Sequence, residues 1–255
     1  MLREVLKNLN EGTISLDEAV LEIEGLRIDS VGEIARLDTG RAVRCGIPEV
    51  ILAEGKEPAH LAEIAKKQVE SGGRCIISRL HPEHTGALRS LCDSKDVRAV
   101  FNESAKMLVL SREGKGEPVK TGGIVGIVTA GTSDIGVAEE ARVIAEEMGC
   151  TVLTAYDVGA AGIHRLFPAI RDLLDAHVLV VAAGREGTLP AVVAGLVNKP
   201  VIGVPVSSGY GYMGQGRAAL ASMLQSCSVI AVVNIDAGFT AGAFAARIAN
   251  MVAGP

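Results

Sequence analysis

Ile124-Val125-Gly126-Ile127-Val128-Thr129-Ala130-Gly131-Thr132-Ser133-Asp134-Ile135-Gly136 is the stretch whose reading decides the fold. An apolar run of strand length, residues 124–128, passes directly into a loop of small residues and then into a segment of helical period. Gly131 allows a tight turn, Thr132 and Ser133 bring hydroxyls, and the first N–H groups of the following helix are free to point into the turn. Strand, small-residue turn and helix N-terminus in that order make a cradle for an anion, with a nucleotide phosphate as the first expectation. Thr132, Ser133 and Asp134 are also ordinary N-cap residues, so the stretch alone serves either an anion or a helix.

Outward from this loop the pattern repeats. Apolar runs at 124–128, 151–156, 178–183, 201–206 and 229–235 alternate with segments of helical period at 135–148, 163–174, 189–197, 216–226 and 239–252. Continuous Val/Ile/Ala runs indicate strands covered on both faces, and βα alternation with short connections predicts a doubly wound, flavodoxin-like sheet of five parallel strands. Ligands of such sheets bind beyond the carboxyl ends of the strands, near the point where strand order reverses. Four loops lie there: residues 129–134, 157–165, 184–189 and 207–216. Each is rich in glycine and carries reactive groups, namely Ser133 and Asp134, then Asp157, His164 and Arg165, then Arg185 and Glu186, then Ser207, Tyr210 and Tyr212. A lone histidine is usually a surface or core residue, but convergence at one sheet edge favours a site. The loop Ser208-Gly209-Tyr210-Gly211-Tyr212-Met213-Gly214 reads as a mobile lid over a flat heterocycle or as a flexible turn.

The chain divides where Glu113-Gly114-Lys115-Gly116-Glu117-Pro118 interrupts all apolar periodicity, which predicts an accessory α/β domain over 1–111, a linker over 112–123 and the sheet domain over 124–255. Within the smaller part, two short helices come first, the second opened by a capping box at Ser15-Leu16-Asp17-Glu18. A helix at 58–70, a strand at 74–78, a helix at 82–92 and strands near Arg98 and Met107 follow.

Composition narrows the function. With 48% hydrophobic residues a chain of 255 can bury a sizeable core, and a net charge of -5 with no Trp, three Tyr and four Phe argues against nucleic-acid binding. The five cysteines, Cys45, Cys75, Cys92, Cys150 and Cys227, are odd in number and scattered, so neither a disulfide framework nor a zinc site is suggested. The N-terminus has no apolar core of a leader, and no apolar run approaches the roughly 18 residues of a membrane span. The expectation is a soluble, cytoplasmic protein.

Residues 122–253 resemble the phosphoribosyl-aminoimidazole carboxylase (PurE) fold through Gly131-Thr132-Ser133-Asp134, Ile163-His164-Arg165 and Pro200-Val201-Ile202-Gly203-Val204-Pro205. A closer resemblance, running nearly end to end, is to the LarB family. It rests on Arg44-Cys45-Gly46-Ile47-Pro48-Glu49-Val50 with Glu54-Gly55-Lys56, then on Tyr156-Asp157-Val158-Gly159-Ala160-Ala161-Gly162-Ile163-His164-Arg165. Gly187-Thr188-Leu189-Pro190, Gly209-Tyr210-Gly211, Leu224-Gln225-Ser226-Cys227 and Val233-Asn234-Ile235-Asp236 complete it.

The LarB resemblance implies a carboxylase and hydrolase that adds CO2 or bicarbonate to the pyridine ring of nicotinic acid adenine dinucleotide. It also implies release of AMP and of pyridinium-3,5-biscarboxylic acid mononucleotide, in nickel-pincer cofactor biosynthesis. No tightly bound organic cofactor is implied. A pyridinium ring is too electron-poor to attack CO2, so the chemistry calls for a thiolate adduct and a base. The family pattern selects Cys227 as the thiol and Glu186 as the base, with His164 and Arg165 orienting the ring carboxylate or moving a proton. Gly131, Thr132, Ser133, Asp134, Asp157, Gly187, Ser207 and Tyr210 complete the expected substrate contacts, with Arg185 and Thr188 as neighbours. Cys227 opens a strand, which places it at the sheet edge opposite the phosphate loop. The resemblance implies a homo-oligomer, an octamer, whose sites are shared between protomers. Asp134 and Asp157 are candidates for a divalent ion such as Mg2+ or, equally, solvated caps; the metal is left open. Arg185, Ala183, Met213 and Gln215 depart from the family pattern. The alternatives are a purine-pathway carboxylase or mutase, which needs no cysteine, and a non-catalytic nucleotide-binding module.

Overall fold

A computed structural model describes residues 2–254 as two compact units, one comprising residues up to Phe101 with Lys106–Glu117, the other Asn102–Ala105 with Pro118 onward. The first unit begins with α1 (Leu2–Asn10) and α2 (Leu16–Gly25). The Ser15 N–H donates to Glu18 Oε2 at 2.7 Å and the Glu18 N–H to Ser15 Oγ at 3.2 Å, the reciprocal cap that the sequence predicts. An antiparallel pair follows, β1 (Asp29–Val31) and β2 (Ala35–Leu37), then α3 (Arg41–Cys45) and β3 (Val50–Leu52). These four were not foreseen, because three to five residues are too few to display a period.

Next come α4 (Pro58–Gly72), β4 (Arg74–Ser78), α5 (Pro82–Cys92), β5 (Val97–Asn102) and β6 (Met107–Arg112). Pro58 starts α4 where its missing N–H costs nothing, and Gly73 ends it at φ 74°. The strands form one sheet in the order β3-β4-β6-β5, with β3 parallel and β6 antiparallel to β4. Leu61, Ile64 and Val69 of α4 pack with Leu88 of α5 and with Ile77, Leu108 and Leu110 of the sheet.

The second unit alternates β7 (Ile124–Thr129), α6 (Ile135–Glu147), β8 (Thr151–Ala155), α7 (Leu166–Asp172), β9 (Val178–Ala183), α8 (Leu189–Ala194), β10 (Val201–Pro205), α9 (Arg217–Leu224), β11 (Ala231–Val232) and α10 (Gly238–Ala253). The five strands are all parallel in the order β11-β10-β9-β7-β8, the doubly wound flavodoxin-like arrangement. Every residue of β9 is buried, which is why its sequence shows no alternation. Leu179, Val181 and Ala183 pack with Leu166, Ile170, Leu189, Val193 and Met223. On the way back, α10 lies against α6 as well as against β7 and β9. A Cβ on Gly242 would meet the Ala141 carbonyl at 2.4 Å, so the two helices approach closely only because that position has no side chain. Full burial of each large side chain in this core contributes about 1.5–3 kcal/mol.

Two expected elements are shorter than the sequence suggested. The run 229–235 pairs with β10 only at Ala231 and Val232, and Val229 is 94% exposed. Asp236, at φ 55°, turns the chain away and donates its N–H to the Pro205 carbonyl. An apolar run without alternation does not mark its own ends, and an edge strand loses pairing at once when the backbone turns. The segment 163–174 is not one helix: Ala160–Arg165 is a 3-10 segment broken at Gly162, and α7 starts at Leu166.

Behind the loop that follows β8, Glu139 of α6 accepts from Arg142 Nε at 2.9 Å, from Asn102 Nδ2 at 2.6 Å and from the Tyr156 hydroxyl, all within the second unit. Burial alone would raise the Glu139 carboxyl, but the hydrogen bonds from Arg142, Tyr156 and Asn102 outweigh it and hold it at about 2. Its folded value is depressed, so the stability it adds is complete above its ordinary value of 4.5 and is lost as pH falls toward 2. Once solvent screening is allowed for, this amounts to about 2 kcal/mol. Urea unfolding of the protein and of Glu139→Gln should therefore differ at neutral pH and converge as pH approaches 2; a constant gap would refute the assignment.

Candidate functional site

The reversal of strand order falls between β7 and β9, and a cleft of about 230 Å³ opens at their carboxyl ends. Its walls come from the four loops that the sequence pattern placed there. Gly131, Ser133 and Asp134 follow β7, Gly159 to Ala161 follow β8, Arg185 to Thr188 follow β9, and Ser208 to Tyr210 follow β10. Backbone bonds lock the loops in register, since the Ala130 N–H donates to the Ala182 carbonyl and the Val158 N–H to the Thr129 carbonyl. The buried Thr129 hydroxyl also accepts the Asp157 N–H at 3.0 Å.

Asp134 is the structural centre of this cleft. Its Oδ2 accepts the Gly131 N–H at 2.9 Å and its Oδ1 accepts the Ser208 hydroxyl at 2.8 Å, joining the loop after β7 to the loop after β10. Burial pushes its carboxyl above the ordinary value, and the Ser208 hydroxyl and the Gly131 and Gly184 N–H groups pull it part of the way back. Sequence reasoning named Ser207 for this loop, but Ser207 is not part of the cleft's lining; its backbone N–H donates to Asp236 Oδ1 at 2.8 Å. Ser208 was missed because two adjacent serines in a loop without period give no sign of which one turns inward.

Asp134→Ala should leave the Gly131 N–H and the Ser208 hydroxyl without their shared acceptor, at a cost of about 1–3 kcal/mol. We expect lower thermal stability and nucleotide binding weakened about tenfold or more. Wild-type melting and an unchanged nucleotide Kd would show that the loop is only a helix cap.

The remaining expected residues separate into two groups. Gly131, Ser133, Asp134, Glu186, Gly187 and Tyr210 line the cleft, with Thr132 exposed beside them. His164, Arg165 and Asp157 do not line it: His164 is exposed on the 3-10 segment, and Arg165 Nη1 pairs with Asp157 Oδ2 at 2.6 Å in a half-exposed bridge. Cys227 lies apart from both groups, in a bend between α9 and β11, and is exposed. Because β11 runs parallel to β10, this bend precedes the amino end of the edge strand, at the edge opposite the cleft. Cys75 is fully buried and its thiol pushed far up by desolvation, and burial also raises Cys150. Neither is disposed to act as a nucleophile.

A metal fits this cleft poorly. Asp134 has spent its oxygens on Ser208 and the backbone, Asp157 is paired with Arg165, and among the described residues no three His, Cys, Asp or Glu side chains converge. Among the described residues, likewise, no helix is long and apolar enough to cross a membrane.

Comparison with known proteins agrees with this geometry. Residues 124–253 match the AIR carboxylase family, and residues 28–112 match the LarB/PurE-like N-terminal domain. An uncharacterised protein of Methanocaldococcus jannaschii is 42% identical over 98% of each chain. An N5-carboxyaminoimidazole ribonucleotide mutase of the same organism is 35% identical over 48% of this chain and 76% of its own. A mutase of that name from Pyrococcus horikoshii is 32% identical over 49% of this chain and 71% of its own. A parallel sheet with a cleft at its switch point, the AIR carboxylase match over that sheet and the N-terminal match before it lead to one conclusion: the chain belongs to the AIR carboxylase family, in the two-domain architecture of LarB.

Proposed function

We propose that this protein carboxylates the pyridinium ring of nicotinic acid adenine dinucleotide and cleaves its pyrophosphate, giving pyridinium-3,5-biscarboxylic acid mononucleotide and AMP for a nickel-pincer cofactor. The observation that carries this reading is the joining, in one chain, of a LarB/PurE-like N-terminal domain to an AIR carboxylase domain. The mutase relatives match only about half of this chain, 48% and 49% of it.

In this reading the Cys227 thiolate adds to ring C4, and the displaced π electrons settle on the ring nitrogen. The resulting dihydropyridine is an enamine, nucleophilic at C5, and C5 forms a bond to CO2. Glu186 takes the C5 proton, the C4–S bond breaks, and the departing thiolate restores the aromatic ring. Water then attacks the pyrophosphate and AMP leaves. The phosphate loop at Gly131 to Ser133 holds one phosphate, while His164 and Arg165 orient the ring carboxylate or move a proton.

The exposure of Cys227 supports the shared site. Leu224, 66% exposed, and Val229, 94% exposed, flank Cys227 in sequence, and exposed apolar side chains of this kind are what a second copy of the chain covers. Its distance from Glu186 within one chain, about the length of a strand or roughly 17 Å, is too great for joint work on one ring. A homo-oligomer, an octamer in this reading, brings Cys227 of one protomer to the cleft of another.

One incubation tests the proposal. With the dinucleotide and bicarbonate, AMP and a biscarboxylated mononucleotide should accumulate together. Turnover of aminoimidazole ribotide with bicarbonate, or of its N5-carboxylated form, in parallel incubations would instead favour a purine-pathway carboxylase or mutase, and turnover of none of them would leave a nucleotide-binding module.

A further inference from the structure

Arg185 is the one cationic side chain lining the cleft among the described residues. It makes no ion pair there; its guanidinium lies over the Tyr210 ring, 4.2 Å from the centroid. Tyr210 is itself 74% exposed, so the stacked pair stands at the mouth of the cleft and not in its floor. The other charged groups of the lining are acids: Asp134 is turned inward onto Ser208 and the backbone, and Glu186 is exposed beside Arg185. An arginine held over an aromatic face with no acid paired to it leaves its planar fork of donors unspent, which suits two oxygens of one phosphate.

The size of the cleft says where that phosphate belongs. About 230 Å³ falls below the roughly 300–1,000 Å³ of pockets that enclose a drug-sized ligand. The cleft therefore takes one half of a dinucleotide, and the other half leaves through the mouth. The link between the halves is a pyrophosphate. With one of its phosphates on the loop at Gly131 to Ser133, the second crosses the mouth, where Arg185 stands.

We infer that Arg185, held on Tyr210, is a specificity-determining residue that binds the second phosphate of a pyridine dinucleotide and selects it over the mononucleotide. The inference rests on the substrate reading given above and adds the group that discriminates the dinucleotide from its own half.

Calorimetric titration in CO2-free buffer with nicotinic acid adenine dinucleotide and, separately, with nicotinic acid mononucleotide measures this preference. The wild type should bind the dinucleotide about tenfold or more tightly than the mononucleotide, as a charge-assisted bidentate contact implies. Arg185→Met should bring the two within about twofold by weakening the dinucleotide alone, and Arg185→Lys, which keeps the charge, should restore part of the gap. The wild-type preference should also shrink as salt is raised, and that of Arg185→Met should not. Because Arg185 is exposed, both variants should melt like the wild type, which separates a lost contact from a lost fold. An unchanged ratio in Arg185→Met, or equal weakening of both ligands, overturns the inference while leaving the proposed reaction intact. Failure of the wild type to bind either pyridine nucleotide overturns both.

Discussion

Cys227→Ser should retain the fold and the assembly and lose carboxylation by at least about a thousandfold, as expected when an activated nucleophile becomes a weak one. The thiol is exposed and lies in a bend outside the sheet, so a serine there disturbs no packing. Cys75 and Cys150, by contrast, are buried, and their substitution should cost stability without touching the chemistry. Normal product formation by Cys227→Ser, followed by chromatography of the biscarboxylated mononucleotide, would remove this residue from the mechanism. The same variant tests the shared site. Mixed with Glu186→Gln, also inactive, it should regain activity in verified mixed oligomers, because some sites then combine an intact Cys227 from one protomer with an intact Glu186 from another. Failure of complementation in such oligomers would put both groups in one chain's site.

Gly209→Ala should be the most destabilising single-methyl change in the cleft. A Cβ at this position would lie 1.9 Å from the Gly184 carbonyl oxygen, and both partners are backbone, so no flexible side chain can yield. The loops after β9 and β10 would have to part, taking with them the Ser208 hydroxyl that Asp134 accepts. A cost of about 3 kcal/mol or more is expected, with nucleotide binding lost alongside it. Gly86→Ala in α5, where nothing lies within 4 Å, is the control and should be neutral or stabilising by up to about 1 kcal/mol. Denaturant midpoints for the two variants check this directly; a wild-type midpoint and an unaltered nucleotide Kd for Gly209→Ala would refute the close approach.

The sequence by itself determined the sheet class, the strand order and the loops that meet at the site. Buried parallel strands must be apolar throughout, and short βα connections leave few topologies, so the runs at Ile124, Val178 and Val201 declared themselves. The capping box at Ser15 was legible for the same reason, since its partners are three residues apart. Tertiary structure alone decided which side chains face one another across the loops. Ser208 and not Ser207 reaches Asp134, 74 residues away in the chain, and Arg185 finds Tyr210 rather than the neighbouring Glu186. It also decided that His164 and Arg165 stand outside the cleft, because Gly162 breaks the segment before α7 begins. Periodicity records what each element buries, a local property repeated along the chain. Facing pairs across loops depend on backbone turns at single residues such as Asp157, at φ 57°, and no repeat encodes them.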